Sequence, residues 1–428
     1  MGEPEMGQWQ FHTPEGVMDY LPEDCRTKRS LENTIRKIFR LRGYEEIETP
    51  GIEFFDVYSG EGNFTSQENL FKFFDHKGRI LCLRYDGTIP AARLAATVYK
   101  EARLPLRLSY LGNMYRFNEA GGGRQREFTQ AGLELLGCGS AEADAEIIAA
   151  AIESAQALGI NDLQVSIGQV GFFKGLLDQW KVTDEQALLL PKLIDARESV
   201  ALDEIANQLG LDRKARAVLN MITGHSGSVE TVDQLLEMVE YPACQEALQN
   251  LKNVLAVLDD YNLMQYISID LGMLQSINYY TGIIFKGFTY GLGFPLFSGG
   301  RYDNVVSSFG RDLAATGFSI GINFVMAALR RQGQPDQNND SLIRLVYDEG
   351  QRPRALAISR AWRENGLQVI CESIRDANLD YSILEDSVQL QPENLHDGVS
   401  FIPPGKNVII RLEQQGNFRL YRGKEKQK

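Results

Sequence analysis

The chain has 428 residues, room for two to three domains at about 150 residues each and for a sizeable buried core. Its 44 Lys and Arg against 57 Asp and Glu leave a net charge of −13 and a pI near 5.0, a field that repels polyanions and disfavours a nucleic-acid-binding surface. Apolar residues make up 43% of the sequence, and no uninterrupted apolar run approaches the ~20 residues of a membrane helix, so a soluble protein with no membrane partner is expected. The N-terminal stretch Met1 to Gly7 has neither the basic start nor the apolar centre of a secretion signal, which makes the cytoplasm the expected compartment. Five scattered cysteines form no CxxC pair and suit free thiols, and the four histidines show no metal-ligand spacing; neither a metal nor a cofactor is expected.

In chain order, Glu23 to Arg42 carries Leu31, Ile35, Ile38 and Phe39 at helical spacing and ends at Gly43, which suits a helix C-terminus. Strands are expected around Ile80 to Arg84, Arg107 to Phe117 and Arg126 to Leu136, the last two joined by the glycine-rich segment Asn118 to Gln125. Ser140 is a candidate N-cap for a helix that presents Ile147, Ile148, Ala151, Ile152 and Ala155 and stops at Gly159; a strand from Leu163 to Ile167 follows. From about 172 to 263 leucine-rich helical periods replace strands, marking a helical insertion. Strands resume at Tyr266 to Leu271 and Ile283 to Phe288, then come a glycine turn at Ser298-Gly299-Gly300 and a helix from about Gly321 to Arg331. The polar segment 332–340 reads as a linker between a large domain, 1–331, and a small C-terminal α/β domain, 341–428, with a helix near Ala355 to Asn365 and strands at Val408 to Leu412 and Phe418 to Tyr421.

Three clusters carry potential chemistry. Along the strand through Arg126 to Leu136, Gln130 and Glu134 point to one side, together with Arg126 and Phe128 if the strand stays regular. Glu134 stands among Leu133, Leu135 and Leu136. Buried without a partner it would cost several kcal/mol, which a cationic or hydrogen-bond-donating ligand would relieve; the pattern alone favours a solvent-facing glutamate on a half-buried strand. Asp86 and Thr88 flank Gly87 and offer a carboxylate and a hydroxyl suited to an ammonium group, although the pattern alone favours an ordinary Asx-type turn. Tyr279 and Tyr280 supply rings that could enclose a planar heterocycle, or simply pack in the core.

Together with Ser298-Gly-Gly-Arg-Tyr-Asp303 and Thr13 to Pro22, these blocks resemble the histidyl-tRNA synthetase family in order and separation, over about residues 10–330. The resemblance implies an α+β fold: a class II aminoacyl-tRNA synthetase-like antiparallel sheet with flanking helices, a helical insertion and a small C-terminal α/β unit. It implies that Asp86, Thr88 and Gln130 bind the α-ammonium of histidine and that Glu134, Tyr279 and Tyr280 surround the imidazole, with Arg116, the retained motif-2 arginine, completing the histidine-binding set.

The adenylation residues implied by the same resemblance are missing. An arginine expected four residues before the paired tyrosines is Gln275, the ATP-clamping arginine of the third motif is Phe324, and an acidic residue expected after Arg116 is Asn118. One lost electrostatic donor typically costs about 10² to 10³ in rate, so two lost cations remove on the order of 10⁴ or more. A histidine pocket without activation chemistry resembles the synthetase-like regulatory subunits of ATP phosphoribosyltransferase. The run Arg126 to Glu134 and Ala143-Asp-Ala-Glu-Ile147 strengthen that likeness. It implies a non-catalytic, allosteric subunit that partners a short-form catalytic subunit at the first step of histidine biosynthesis, takes L-histidine as effector, and self-associates as a dimer within a hetero-octamer of four copies of each subunit. No Thr-Gly-x-Thr-type loop for phosphoribosyl pyrophosphate is seen. The alternative is a divergent histidyl-tRNA synthetase or a free-standing histidine-activating ligase.

Overall fold

The computed structural model describes residues 9–59, 66–117, 125–224, 227–274, 279–333, 341–377, 384–390, 408–414 and 417–423. Gln275, Asn118, most of the glycine-rich segment and most of the expected linker lie outside them. The chain divides into two compact units, Met1–Pro335 and Asp336–Lys428.

The first unit opens with α1 (Pro22–Leu41), whose proline occupies the first helical turn, where its missing N–H costs nothing, and which closes on Gly43 at φ +79°. Then follow β1 (Glu45–Glu46), β2 (Ile52–Phe54), α2 (Asp56–Ser59), β3 (Lys72–Phe74), β4 (Ile80–Leu83) and α3 (Thr88–Thr97). The long hairpin β5 (Leu106–Tyr115) and β6 (Glu127–Leu136) leads to α4 (Ala141–Ala157), capped as expected by Ser140, whose Oγ accepts the Ala143 N–H at 3.4 Å. β7 (Leu163–Gln169) precedes six consecutive helices: α5 (Val170–Trp180), α6 (Asp184–Ala196), α7 (Ser199–Gln208), α8 (Arg213–Thr223), α9 (Val229–Met238) and α10 (Pro242–Asp260). β8 (Ile267–Ile269), β9 (Ile283–Thr289), β10 (Phe297–Arg301), α11 (Asp303–Ser307), β11 (Ala315–Gly321) and α12 (Ile322–Arg331) complete the unit.

Eight strands form one sheet in the order β1-β5-β6-β11-β10-β9-β7-β8, antiparallel except for the parallel outer pairs β1–β5 and β7–β8. Because strand side chains alternate, β6 sends Ala131, Leu133 and Leu135 into the main core, where Leu31, Ile35 and Phe39 of α1, the isoleucines of α4 and Val325 of α12 cover that face. Alanines at 149, 150, 151 and 155 let α4 lie close to the sheet. The insertion helices bury Leu190, Val218, Leu235 and Leu248 in the same core. A small sheet, β2-β4-β3, stands apart from the large one.

Two expectations change. Ser298-Gly299-Gly300 is no turn but the middle of β10, paired on both sides in a continuous register. The glycines signal a crowded face rather than a chain reversal. β11, in the centre of the sheet, was not anticipated, since Ala315-Thr-Gly-Phe-Ser-Ile-Gly321 carries few β-branched residues and its glycines mask the alternation.

The second unit contains β12 (Leu342–Tyr347), α13 (Arg352–Glu364), β13 (Gln368–Ser373), β14 (Leu384–Leu390), β15 (Val408–Leu412) and β16 (Phe418–Gly423). Its sheet runs β13-β12-β15-β16-β14, with β12 parallel to both neighbours, over a core of Ile343, Leu345, Trp362, Ile410 and Phe418.

A buried ion pair ties α4 to the sheet. Arg301 at the end of β10 donates to Asp144 in the first turn of α4 through two bonds, 2.9 and 3.1 Å, and also reaches the Cys138 and Ser140 carbonyls. Asp303 accepts from Arg301 at 3.4 Å, from the Ala315 N–H at 2.7 Å and from the Thr281 hydroxyl at 3.1 Å, so both neighbours of Tyr302 are anchored. Replacing Arg301 by Met would leave the Asp144 carboxylate buried without its partner; denaturant unfolding should show a loss of about 3–5 kcal/mol.

Candidate functional site

The open face of the central strands is cleared by glycines. Gly132 faces Tyr110 of β5 and Ser319 of β11; Gln130 faces Gly112 and Gly321; Glu134 faces Leu108 and Gly317; and Gly317 in turn faces Gly300. A side chain at Gly132 or Gly87 would collide with the Tyr110 ring, one at Gly300 would stand 2.9 Å from the Tyr280 ring, and one at Gly317 would overlap the Glu134 carboxylate. These backbone-only positions make room for the rings of Tyr110 and Tyr280 and for the Glu134 carboxylate, which meets Tyr302.

Glu134 is fully buried, not solvent-facing as the strand pattern alone favoured. The reason lies in its neighbours: Gly317 and the β5 and β11 strands wrap the carboxylate, and its Oε2 accepts the Tyr302 hydroxyl. Oε1 has no hydrogen-bond partner among the described residues. Desolvation pushes the Glu134 carboxyl up to about 8, opposed by the hydroxyls of Tyr302, Thr88 and Tyr110 and reinforced by the charge of Asp86. Gln130, 7% exposed, donates its amide to Ser319 Oγ at 2.8 Å, and its Oε1 is also buried without a partner. Both oxygens are thus buried without a partner among the described residues, and a buried unmatched polar atom costs about 1–3 kcal/mol.

Asp86 stands at the start of α3, where its Oδ1 accepts the Ile89 N–H at 3.0 Å. The Asx-type local bond and a place beside the pocket thus coexist. Burial lifts its carboxyl to about 6, against the pull of the Ile89 N–H and the Arg116 charge. Thr88 shares a hydroxyl contact with Tyr110 at 3.3 Å. Tyr279 and Tyr280 meet edge-to-face at 4.9 Å, Tyr279 lies 5.9 Å from the Tyr302 ring, and Lys174 of α5 donates to the Tyr280 carbonyl at 3.0 Å. Burial keeps the Tyr110, Tyr279 and Tyr302 hydroxyls far above their usual range, so they remain proton donors. Arg116, just past β5, places its guanidinium carbon 4.5 Å from the Tyr85 ring and 4.9 Å from the Phe128 ring. All seven residues singled out from the sequence, Asp86, Thr88, Arg116, Gln130, Glu134, Tyr279 and Tyr280, converge on this face. Sequence reasoning overlooked Tyr110, Ser319 and Tyr302; the glycines opposite or beside them were the available signal.

Phe324, at the start of α12, stacks on Phe128 with ring centroids 6.0 Å apart and planes 13° from parallel, and Phe294 packs edge-on against it at 4.7 Å. Asn323 beside it accepts the Thr129 N–H at 2.8 Å and donates to the Tyr20 hydroxyl and to Gln125, tying the segment before α1 to β6 and α12. Among the described residues no group of three or more His, Cys, Asp or Glu could hold a metal ion, and no helix is long and apolar enough to cross a membrane.

An eight-stranded, mainly antiparallel sheet of this order defines a class II synthetase-like protein, and the histidyl-tRNA synthetase family model matches residues 16–325. An ATP phosphoribosyltransferase regulatory subunit from Acetivibrio thermocellus is 46% identical over 364 residues, 85% of this chain and 87% of that protein; one from Thermoanaerobacter sp. is 36% identical over 382 residues, 89% and 100%. The chain belongs to the family of ATP phosphoribosyltransferase regulatory subunits. A crystal structure of an ATP phosphoribosyltransferase regulatory subunit/histidyl-tRNA synthetase from Bacillus halodurans shares the fold at a TM-score of 0.77 and 31% identity, covering 89% of this chain and 96% of that one. Histidyl-tRNA synthetase from Nostoc sp. PCC 7120 shares the fold at 0.73 and 21% identity, over 95% of this chain and 92% of that one.

The Glu134 carboxyl holds its proton to about pH 8 in the folded chain but to about 4.5 when unfolded. Between these values the folded state carries the extra proton, so this residue's contribution to stability declines as pH rises through the window. Glu134→Gln removes the titration. Its melting temperature relative to the unsubstituted protein should therefore rise from about pH 5 to about pH 8.5, as differential scanning calorimetry would record. Gly317→Ala should destabilise the fold by about 1–3 kcal/mol through overlap with Glu134, measurable by denaturant unfolding.

Proposed function

We propose that this chain is the non-catalytic regulatory subunit of ATP phosphoribosyltransferase, that it binds L-histidine in the pocket of β6, and that it carries histidine feedback to a short-form catalytic subunit at the first step of histidine biosynthesis. The observation that supports it most is the pair of buried acceptor oxygens, Gln130 Oε1 and Glu134 Oε1, which have no partner among the described residues and lie on a face that also carries Tyr110 and Tyr302. An imidazole N–H suits Glu134. An α-ammonium suits Gln130 and the Asp86 carboxylate, and the α-carboxylate suits Arg116, whose charge reaches Asp86 and Tyr280. Arg84 serves otherwise: it donates to the carbonyls of Asn113 at 2.7 Å and Thr49 at 2.7 Å.

The names of the relatives support the regulatory role and a catalytic partner. The pocket lies on a fold of synthetase type, yet the aromatic column Phe128–Phe324–Phe294 occupies the place where the resemblance puts an ATP-clamping arginine. In this reading the phosphoribosyl transfer is done by the other chain, in a cytoplasmic hetero-octamer of four subunits of each kind. Histidine acts by binding the inhibited assembly more tightly than the active one, a coupling of about 1–3 kcal/mol.

Calorimetric titration with L-histidine at neutral pH should show saturable binding, weakened about 2- to 10-fold by Glu134→Gln, since a hydrogen bond to an uncharged carboxyl contributes about 0.5–1.5 kcal/mol. The same substitution should leave the reconstituted complex active at a histidine concentration that inhibits its parent. Absence of binding, with or without the catalytic subunit, would overturn the reading. Histidine-dependent exchange of pyrophosphate into ATP would replace it with a synthetase.

A further inference from the structure

In the histidine pocket proposed above Arg116 is assigned to the α-carboxylate, and an unrestrained arginine loses much side-chain freedom when it engages a ligand. Here that freedom is already restricted. The Tyr85 ring lies 4.5 Å from the guanidinium carbon and the Phe128 ring 4.9 Å from it, while Arg116 Nε donates to the Tyr85 carbonyl at 3.5 Å. Tyr85 is itself fixed: its N–H donates to the hydroxyl of the buried Tyr58 at 3.1 Å, and the preceding carbonyl, of Arg84, accepts the Tyr115 N–H at 3.0 Å. On the opposite strand Phe128 is held by Phe324, and Phe324 by Phe294. Tyr85 directly precedes Asp86, so one short segment carries both the ring that steadies the cation and the carboxylate suited to an ammonium group.

We propose that Tyr85 is a positioning residue that holds Arg116 against Phe128 and thereby makes the pocket select amino acids with a free α-carboxylate over their alcohol analogues. The inference rests on the histidine pocket described above and deepens it. Tyr85 touches no ligand in this scheme; it acts through the guanidinium, by cation–π attraction and by reducing the ordering that binding requires.

The test is calorimetric titration of the full-length chain, unsubstituted and carrying Tyr85→Phe or Tyr85→Ala, with L-histidine and with L-histidinol, which lacks the carboxylate; thermal melts verify folding. The unsubstituted protein should prefer histidine. Tyr85→Phe, which keeps the ring, should retain that preference within about twofold, whereas Tyr85→Ala should reduce it about 5- to 30-fold by weakening histidine while leaving histidinol nearly unchanged. An unaltered preference in Tyr85→Ala overturns the proposal, as does equal weakening of both ligands, the mark of a merely structural residue. Should Tyr85→Ala fail to fold, Tyr85→Leu, which keeps bulk without a π face, is read in the same way. An unsubstituted protein that binds neither compound overturns the histidine pocket itself, and the proposal with it.

Discussion

Strand β6 must satisfy two environments at once, and the rest of the large unit is arranged around that demand. Its odd-numbered residues, Ala131, Leu133 and Leu135, complete the apolar core, while the even-numbered Gln130, Gly132 and Glu134 face the other side, where Tyr110 and Tyr302 meet them. A shift of one residue in its pairing would exchange the two sets, putting a carboxylate among the core leucines and apolar side chains into the pocket. The ten-residue register with β5 and the seven-residue register with β11 fix that alternation. The pocket is therefore held by the same hydrogen bonds that hold the sheet.

Within that frame the buried charges are unbalanced. Glu134 and Asp86 are both raised by desolvation, Glu134 further by its neighbour's charge, and Arg116 compensates only from the side of Asp86. Tyr302 donates to one oxygen of Glu134, and the other has no hydrogen-bond partner among the described residues. Tyr302 in turn depends on Arg301 and Asp303, which bind α4, β11 and Thr281, so the hydroxyl that meets Glu134 is set by contacts far along the sequence. A ligand that supplies donors removes the cost of the open acceptors, and this is where its binding energy would come from.

Much of this was legible in the residues. The periodicity of α1 and the Ser140 cap gave their helices nearly to the residue, and the leucine-rich stretch after Phe172 indicated the helices that run from α5 to α10. The seven pocket residues came from motif resemblance rather than from spacing. What escaped was non-local. Glu134 has the same sequence neighbours whether buried or exposed, and only the strand β11, hidden by its own glycines, decides the question. Gly299 and Gly300 suggested a turn because a strand with no side chains to offer looks, in sequence, like no strand at all; the phenylalanine and tyrosine rings that need the space come from elsewhere in the chain.

Phe324 has a consequence of a different kind. It is seated on Phe128 on one side and abutted by Phe294 on another, while Asn323 next to it secures Tyr20 and Gln125. An arginine introduced at 324 would displace a ring from between Phe128 and Phe294, at a position that is half-buried. Changing residue 324 alone would thus break two ring contacts at once, so that each aromatic neighbour makes the departure of the others less favourable.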